Sequence, residues 1–95
     1  MDTAPEIEVH IVARGRVQGV NYRASLQREA RARQLRGWVR NLSDGSVEAV
    51  LQGAEPDVDF VIAWARIGPR AAVVTGVQVA KRQPEASLTS FEIVG

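Results

Sequence analysis

The hydrophobic period of this chain switches between two and about 3.6 in a set order, and no other feature restricts the fold so tightly. Ile7, Val9 and Ile11 alternate with Glu8, His10 and Val12, which predicts a half-buried strand running to about Arg14. Beyond the segment Gly15 to Val20, the residues from Asn21 to Leu35 are good helix formers, with Tyr22, Leu26 and Ala30 four apart on one face. Arg36-Gly37 ends that helix, and Trp38 to Leu42 reads as a second strand. Ser43-Asp44-Gly45-Ser46 carries the Asp-Gly pair of a tight hairpin and leads into a third strand, Val47 to Gln52, ending at Gly53. Glu55-Pro56-Asp57 opens a second helix, with proline near the first turn and acidic side chains at the positive end of the dipole. Phe60, Trp64 and Ile67 share one face of it, and Gly68-Pro69 is its stop. Ala71 to Lys81 reads as a fourth strand in which Gly76 marks a bulge or kink. After a loop at 83–87, a short strand from Leu88 to Val94 is expected to turn Phe91 and Ile93 inward.

Strand, helix, strand, strand, helix, strand is the order of the split βαβ, or ferredoxin-like, sandwich. The expected class is therefore α+β (βαββαβ), one antiparallel sheet carrying both helices on a single face. The 95 residues suit one domain, since domains commonly run to roughly 100–150 residues. Residues 1–6 read as a flexible lead-in and 7–95 as the domain. With 45% apolar and 24% charged residues, the composition is that of an ordinary globular chain. The absence of cysteine excludes disulfides, a thiolate nucleophile and a thiolate metal site, and suits a reducing compartment. No basic-then-apolar leader opens the chain, and no apolar run approaches the roughly 18 residues of a membrane span. A net charge of +1 gives no reason to expect nucleic acid or an anionic membrane as partner. A cytoplasmic monomer is the expectation.

In the split βαβ topology, strands one and two run in the same direction with strand three antiparallel between them. Their C-terminal ends emerge at one edge of the sheet, which brings the loop Gly15 to Val20, the helix start at Arg23 and the strand end at Asn41 into one neighbourhood. The two glycines let the loop backbone adopt positive φ and approach a ligand closely. The helix that follows at once points unpaired N–H groups and its positive dipole end back at the loop. Arg23 adds a permanent charge and a planar fork matched to phosphate oxygens. A Gly-x-x-x-Gly loop alone is commonly a plain strand-to-helix turn. Arginine in a first helical turn, where acidic residues are preferred, calls for a compensating anion, and phosphate is the natural guest.

The run Gly15-Arg16-Val17-Gln18-Gly19-Val20-Asn21-Tyr22-Arg23 resembles the first signature of the acylphosphatase family, Gly-x-Val-Gln-Gly-Val-x-aromatic-Arg. Gly37-Trp38-Val39-Arg40-Asn41, then Asp44-Gly45-Ser46-Val47-Glu48 and Gly53, is similar to the second. Gly68-Pro69 and Phe91-Glu92-Ile93 match the family layout, so the resemblance runs from about residue 7 to residue 94. It implies hydrolysis of acyl phosphates without metal, cofactor or phosphoenzyme. The amides of residues 16 to 23 and the Arg23 guanidinium would bind the phosphoryl group, and Asn41 would place the attacking water. Carbamoyl phosphate, 1,3-bisphosphoglycerate and acyl-phosphorylated protein side chains are substrates the resemblance allows. Three departures stand out: Tyr22 where Phe is more frequent, Ala13 where a larger aliphatic is usual, and Leu42 where some members carry Thr that could orient the Asn41 amide.

Other polar residues read as structural. His10 lies on the Glu8/Val12 face well before the loop, Asp44 suits a turn former, and Arg28, Arg31, Arg33 and Arg36 read as a solvated basic face. Trp38 and Trp64 read as packing residues, and no His/Asp/Glu cluster has metal-ligand spacing. An RNA-recognition module shares the element order but stacks bases on exposed aromatics of its central strands. Val9, Ile11, Val47, Ala49 and Leu51 offer none. A second alternative is a phosphate- or carbamoyl-phosphate-binding module without turnover, against which stands the presence of both Arg23 and Asn41.

Overall fold

Strand β1 (Glu6–Arg16) occupies an inner position in a five-stranded sheet of order β4-β1-β3-β2-β5. The structure is a computed structural model and describes residues 5–95, so most of the expected lead-in, residues 1–4, lies outside the described residues. The remaining elements are α1 (Tyr22–Ala32), β2 (Arg36–Asn41), β3 (Val47–Ala54), α2 (Glu55–Ala65), β4 (Val73–Arg82) and β5 (Phe91–Ile93). β3 pairs antiparallel with both β1 and β2, and β4 pairs antiparallel with β1. β5 joins the far edge parallel to β2, so the completed sheet is mixed rather than wholly antiparallel.

Alternation along the strands builds the core. Val9, Ile11 and Ala13 of β1, Val47, Ala49 and Leu51 of β3, and Val39 of β2 are buried together with Tyr22, Leu26 and Ala30 of α1 and Val58, Val61 and Ala65 of α2. Both helices thus cover one face. The opposite face of β1 and β3 carries Glu8, His10, Val12, Glu48, Val50 and Gln52. The five apolar residues weighed against RNA binding therefore face the helices, and the open face of these two strands carries no Phe, Tyr or Trp, its one ring being the His10 imidazole engaged by Glu48.

Several boundaries and faces differ from expectation. Helix α1 stops at Ala32 rather than Leu35 because Gln34 turns left-handed (φ 59°). Leu35 N–H donates to Ala30 O at 2.9 Å and Gln34 N–H to Arg31 O at 3.0 Å, the paired bonds of a Schellman ending. Leu35 and Ala30 are both buried, which supplies the usual apolar contact across that motif. In α2 the buried face is Val58, Val61 and Ala65, not Phe60, Trp64 and Ile67. Phe60 is exposed beneath the Arg33 guanidinium, 3.4 Å from its ring centre, and Ile67 is 74% exposed. Trp64 is half-buried against Tyr22 with ring centres 5.6 Å apart. From Phe60 to Ala65 the helix is apolar without a break, so its period does not single out a face. In β5, Phe91 is buried but Ile93 remains 40% exposed, because it opens into a cavity at the start of α1. The bulge expected near Gly76 is present: Arg14 pairs with Gly76 and Gly15 with Val74, leaving Thr75 unpaired.

The arginines expected to form a solvated face are largely engaged. Arg31 Nε donates to Phe91 O at 3.1 Å beside Gln27 Nε2, also 3.1 Å from that oxygen, and together they clamp β5 to α1. Arg33 pairs with Asp57 at 3.2 Å, and Arg36 bonds Gln52 and Glu6. Among the described residues, Arg28 reaches only the Ser25 hydroxyl, at 3.3 Å. His10 Nε2 lies 2.6 Å from Glu48 Oε2, and Arg40 Nε donates to Glu48 Oε1 at 2.7 Å, a structural role for this histidine. Asp44 Oδ1 accepts from Ser46 N–H at 2.9 Å and from the Ser46 hydroxyl, and these bonds hold its carboxyl below the usual carboxylate range.

Candidate active site

Val47 is the register partner of both Ala13 and Asn41, so the ends of β1 and β2 rise on either side of β3 at one edge of the sheet. From that edge the chain makes two excursions, the segment 17–21 into α1 and the turn 42–46 into β3. A cavity of about 190 Å³ opens there, lined by Val17, Gly19, Asn21, Tyr22, Arg23, Ala24, Asn41 and Ile93. At roughly 30 Å³ for each water-sized group, it has room for a tetrahedral anion and a water. Arg23 and Asn41, from different signatures, line one cavity.

The two glycines divide their work. A Cβ on Gly15 (φ 116°) would lie 2.2 Å from Val73 O, so this glycine serves the close passage of β1 against β4 and not a ligand. Gly19 (φ 74°) has nothing within 4 Å of such a Cβ and lines the open cavity. Its positive φ, followed by left-handed Asn21 (φ 67°, ψ 26°), bends the loop around the mouth of the helix.

Helix α1 begins without the usual polar cap. Asn21 occupies the N-cap position, but its side chain makes no capping bond and instead reaches Ser25 Oγ at 3.4 Å. The first turn contains no acidic residue and does contain Arg23. First-turn N–H groups have no intrahelical acceptor, so they stay available at the positive end of the dipole beside the half-buried Arg23. That combination suits an anion.

Asn41 is half-buried, and its Oδ1 is buried without a hydrogen-bond partner among the described residues. An unpaired buried acceptor costs about 1–3 kcal/mol, so this oxygen has much to gain from a donor drawn into the cavity. Tyr22 contributes its ring to the wall, whereas its hydroxyl donates to Ala65 O at 2.7 Å. Burial pushes this phenol well above its ordinary value, which removes it as an acid or base near neutral pH. The hydroxyl that departs from the more frequent Phe therefore ties α1 to the end of α2.

Of the remaining loop residues named from sequence, Gly15 and Arg16 belong to the end of β1, and Val20 packs against the core. Gln18 turns away from the cavity lining and bonds Leu42 O and Ser46 O. Sequence reasoning missed Ala24 and Ile93. Ala24 follows from its place one residue after Arg23. Ile93 had no local signal, because only the parallel pairing of β5 with β2 carries it to the cavity.

The likeness to known proteins covers this whole architecture. The family model described as Acylphosphatase matches residues 9–93. A protein named Acylphosphatase from Thermococcus kodakarensis is 48% identical over 89 residues, covering 94% of this chain and 97% of that one. Another of that name from Burkholderia mallei is 48% identical over 92 residues, covering 96% and 94%. The crystal structure of acylphosphatase from Bacillus subtilis superimposes with a TM-score of 0.90 at 34% identity, covering 94% of this chain and 99% of that one. With both signatures at one cavity and these matches along almost its full length, the chain belongs to the acylphosphatase family.

Proposed function

We propose that this enzyme hydrolyses acyl phosphates by direct attack of water on phosphorus, with the phosphoryl group held by the loop and first-turn amides and Arg23, and the water placed by Asn41. The water oxygen forms a bond to phosphorus as the bond from phosphorus to the acyl oxygen breaks, giving inorganic phosphate and a carboxylate. The leaving carboxylate resembles Asp or Glu, with a conjugate-acid pKa of about 4, and departs without a general acid. Asn41 is not a base, so a phosphoryl oxygen takes the water proton. What is left for the protein is placement and charge stabilisation, the regime in which phosphoryl transfer is catalysed. The observation that carries the reading is the unpartnered Asn41 oxygen on a residue that shares its cavity with Arg23 at an uncapped helix start.

Hydrolysis of benzoyl phosphate in EDTA at neutral pH, with p-nitrophenyl phosphate alongside, tests it. Turnover of the acyl phosphate alone is expected, undiminished by EDTA. Asn41→Ala should lower kcat by about 100-fold or more with little change in phosphate affinity. Arg23→Ala and Arg23→Lys should both lose phosphate binding, since an ammonium lacks the bidentate fork. Phosphate binding without turnover would assign the cavity to a binding module instead, and loss of activity in EDTA would overturn the metal-free reaction.

A further inference from the structure

The Gln18 carboxamide spans the two excursions that flank the cavity. Its Nε2 donates to Leu42 O and to Ser46 O, both at 2.8 Å. A primary amide has two N–H donors, and both are used here on main-chain carbonyls of one turn. Those carbonyls bracket the connection that follows Asn41, where Leu42 N–H also bonds Ser46 O at 2.9 Å and Gly45 N–H bonds Leu42 O at 3.2 Å. Among the described residues, the other side-chain link between this stretch of chain and the turn is the exposed pair Arg14–Asp44, at 3.4 Å. An exposed pair at that distance contributes little, whereas Gln18 is half-buried and its bonds are short. Among the described residues the Asn41 oxygen has no partner to fix the amide.

We propose that Gln18 is a positioning residue: it locks the turn 42–46 to the phosphate loop and thereby sets the placement of the Asn41 carboxamide relative to the phosphoryl group. Its side chain touches neither substrate nor water. The inference rests on the function proposed above, in which Asn41 places the nucleophile. A displacement of about 1 Å in such an arrangement is enough to cost about 100-fold in rate. The two hydrogen bonds cross between segments that the sheet register brings to one edge but does not itself join.

The test compares wild type, Gln18→Met, which keeps the reach but removes both donors, and Gln18→Glu. Measured for each are kcat with benzoyl phosphate, the inhibition constant of inorganic phosphate, and the side-chain amide resonance of Asn41 by NMR. Gln18→Met is expected to lower kcat by about ten- to a hundredfold while the phosphate constant stays within about twofold. In an Asn41→Ala background the same change should cost nothing more, since it acts through Asn41. Gln18→Glu should be impaired near neutral pH, its carboxylate facing two carbonyls, and should recover relative to wild type as pH falls toward about 4.3, where a protonated carboxyl regains a donor. Recovery within one protein separates positioning from misfolding. Unchanged kcat in Gln18→Met, an equal loss on top of Asn41→Ala, or a phosphate constant rising in step with the loss of kcat would each overturn the proposal. If wild type turns over no acyl phosphate, the function proposed above fails, and the bridge is judged by the Asn41 resonance. Its shift in Gln18→Met upholds the bridge and an unchanged signal overturns it.

Discussion

Arg23 stands where the electrostatics of a helix favour a cation least. The first turn of α1 holds no acidic residue to offset it, and a positive charge there costs about 0.3–1 kcal/mol. The unliganded protein carries that cost, and an anion reverses its sign. Arg23→Ala should therefore stabilise the unliganded protein by about 0.3–1 kcal/mol, a rise in Tm of a few degrees at roughly 4–8 °C per kcal/mol. Inorganic phosphate should raise the Tm of wild type through binding to the native state and leave that of the variant unmoved. Thermal melts with and without phosphate check both halves. A variant destabilised in buffer would show that Arg23 is held by packing rather than kept for a ligand. Asn41 completes the contrast: it shares the cavity lined by Arg23, and its oxygen lacks a partner among the described residues. Both residues were legible from the two signatures. The spare acceptor and the Gln18 bridge were not, because each depends on side-chain direction across segments that are distant in sequence.

At the scale of elements, the alternating strands and the Tyr22–Leu26–Ala30 stripe announced the sheet and the first helix correctly, since burial on one face leaves a clean period. Errors arose where the period is ambiguous or the partner is remote. The end of α1 was hidden because Gln34, rather than glycine, takes the left-handed position. A non-glycine residue there carries a cost of about 1–2 kcal/mol. Gln34→Gly is accordingly expected to raise stability by about 1 kcal/mol with activity unchanged, measured by denaturant midpoint at constant m-value. A fall in stability would mean that the Gln34 side chain contributes contacts beyond the turn. The face of α2 was misread because an unbroken apolar run, Phe60 to Ala65, carries no period. Arg28 and Arg31 are exposed as expected, but the bonds of Arg31 to Phe91 and of Arg33 to Asp57 were hidden because those partners lie far along the chain and are invisible to a local pattern.

Across the whole molecule, the face of the sheet turned away from the helices adds a polar and charged network to the apolar contacts of Val12 and Val50. Glu8 is 1% exposed, and its Oε1 accepts from Gln52 Nε2 at 2.9 Å and from Glu85 N–H at 2.8 Å, fastening the 83–90 loop over that face. Farther along, partial burial raises the carboxyl pKa of Glu48, but the hydrogen bonds from His10 and Arg40 outweigh it and hold the group below its ordinary value of 4.5. A carboxyl depressed in the native state contributes stability above its unfolded pKa and loses it as pH falls through the folded value. The stability gap between wild type and Glu48→Gln should thus be present at pH 7 and close in strongly acidic buffer, as followed by urea unfolding at several pH values. A gap that persisted in acid would assign the loss to packing instead.

The pairing of β1 with β4 has a consequence in time. Glu8 is the register partner of Arg82, and β5 closes on β2 from still later in the chain. Apart from the β2–β3 hairpin, this sheet does not assemble from neighbours in sequence, so the entropy of closing long loops is spent before the other strand contacts return anything. Refolding after dilution from denaturant is expected on the millisecond-to-second scale typical of non-local β topologies rather than in microseconds. The cavity wall that includes Ile93 would then be completed only when the two ends of the chain have found the same sheet.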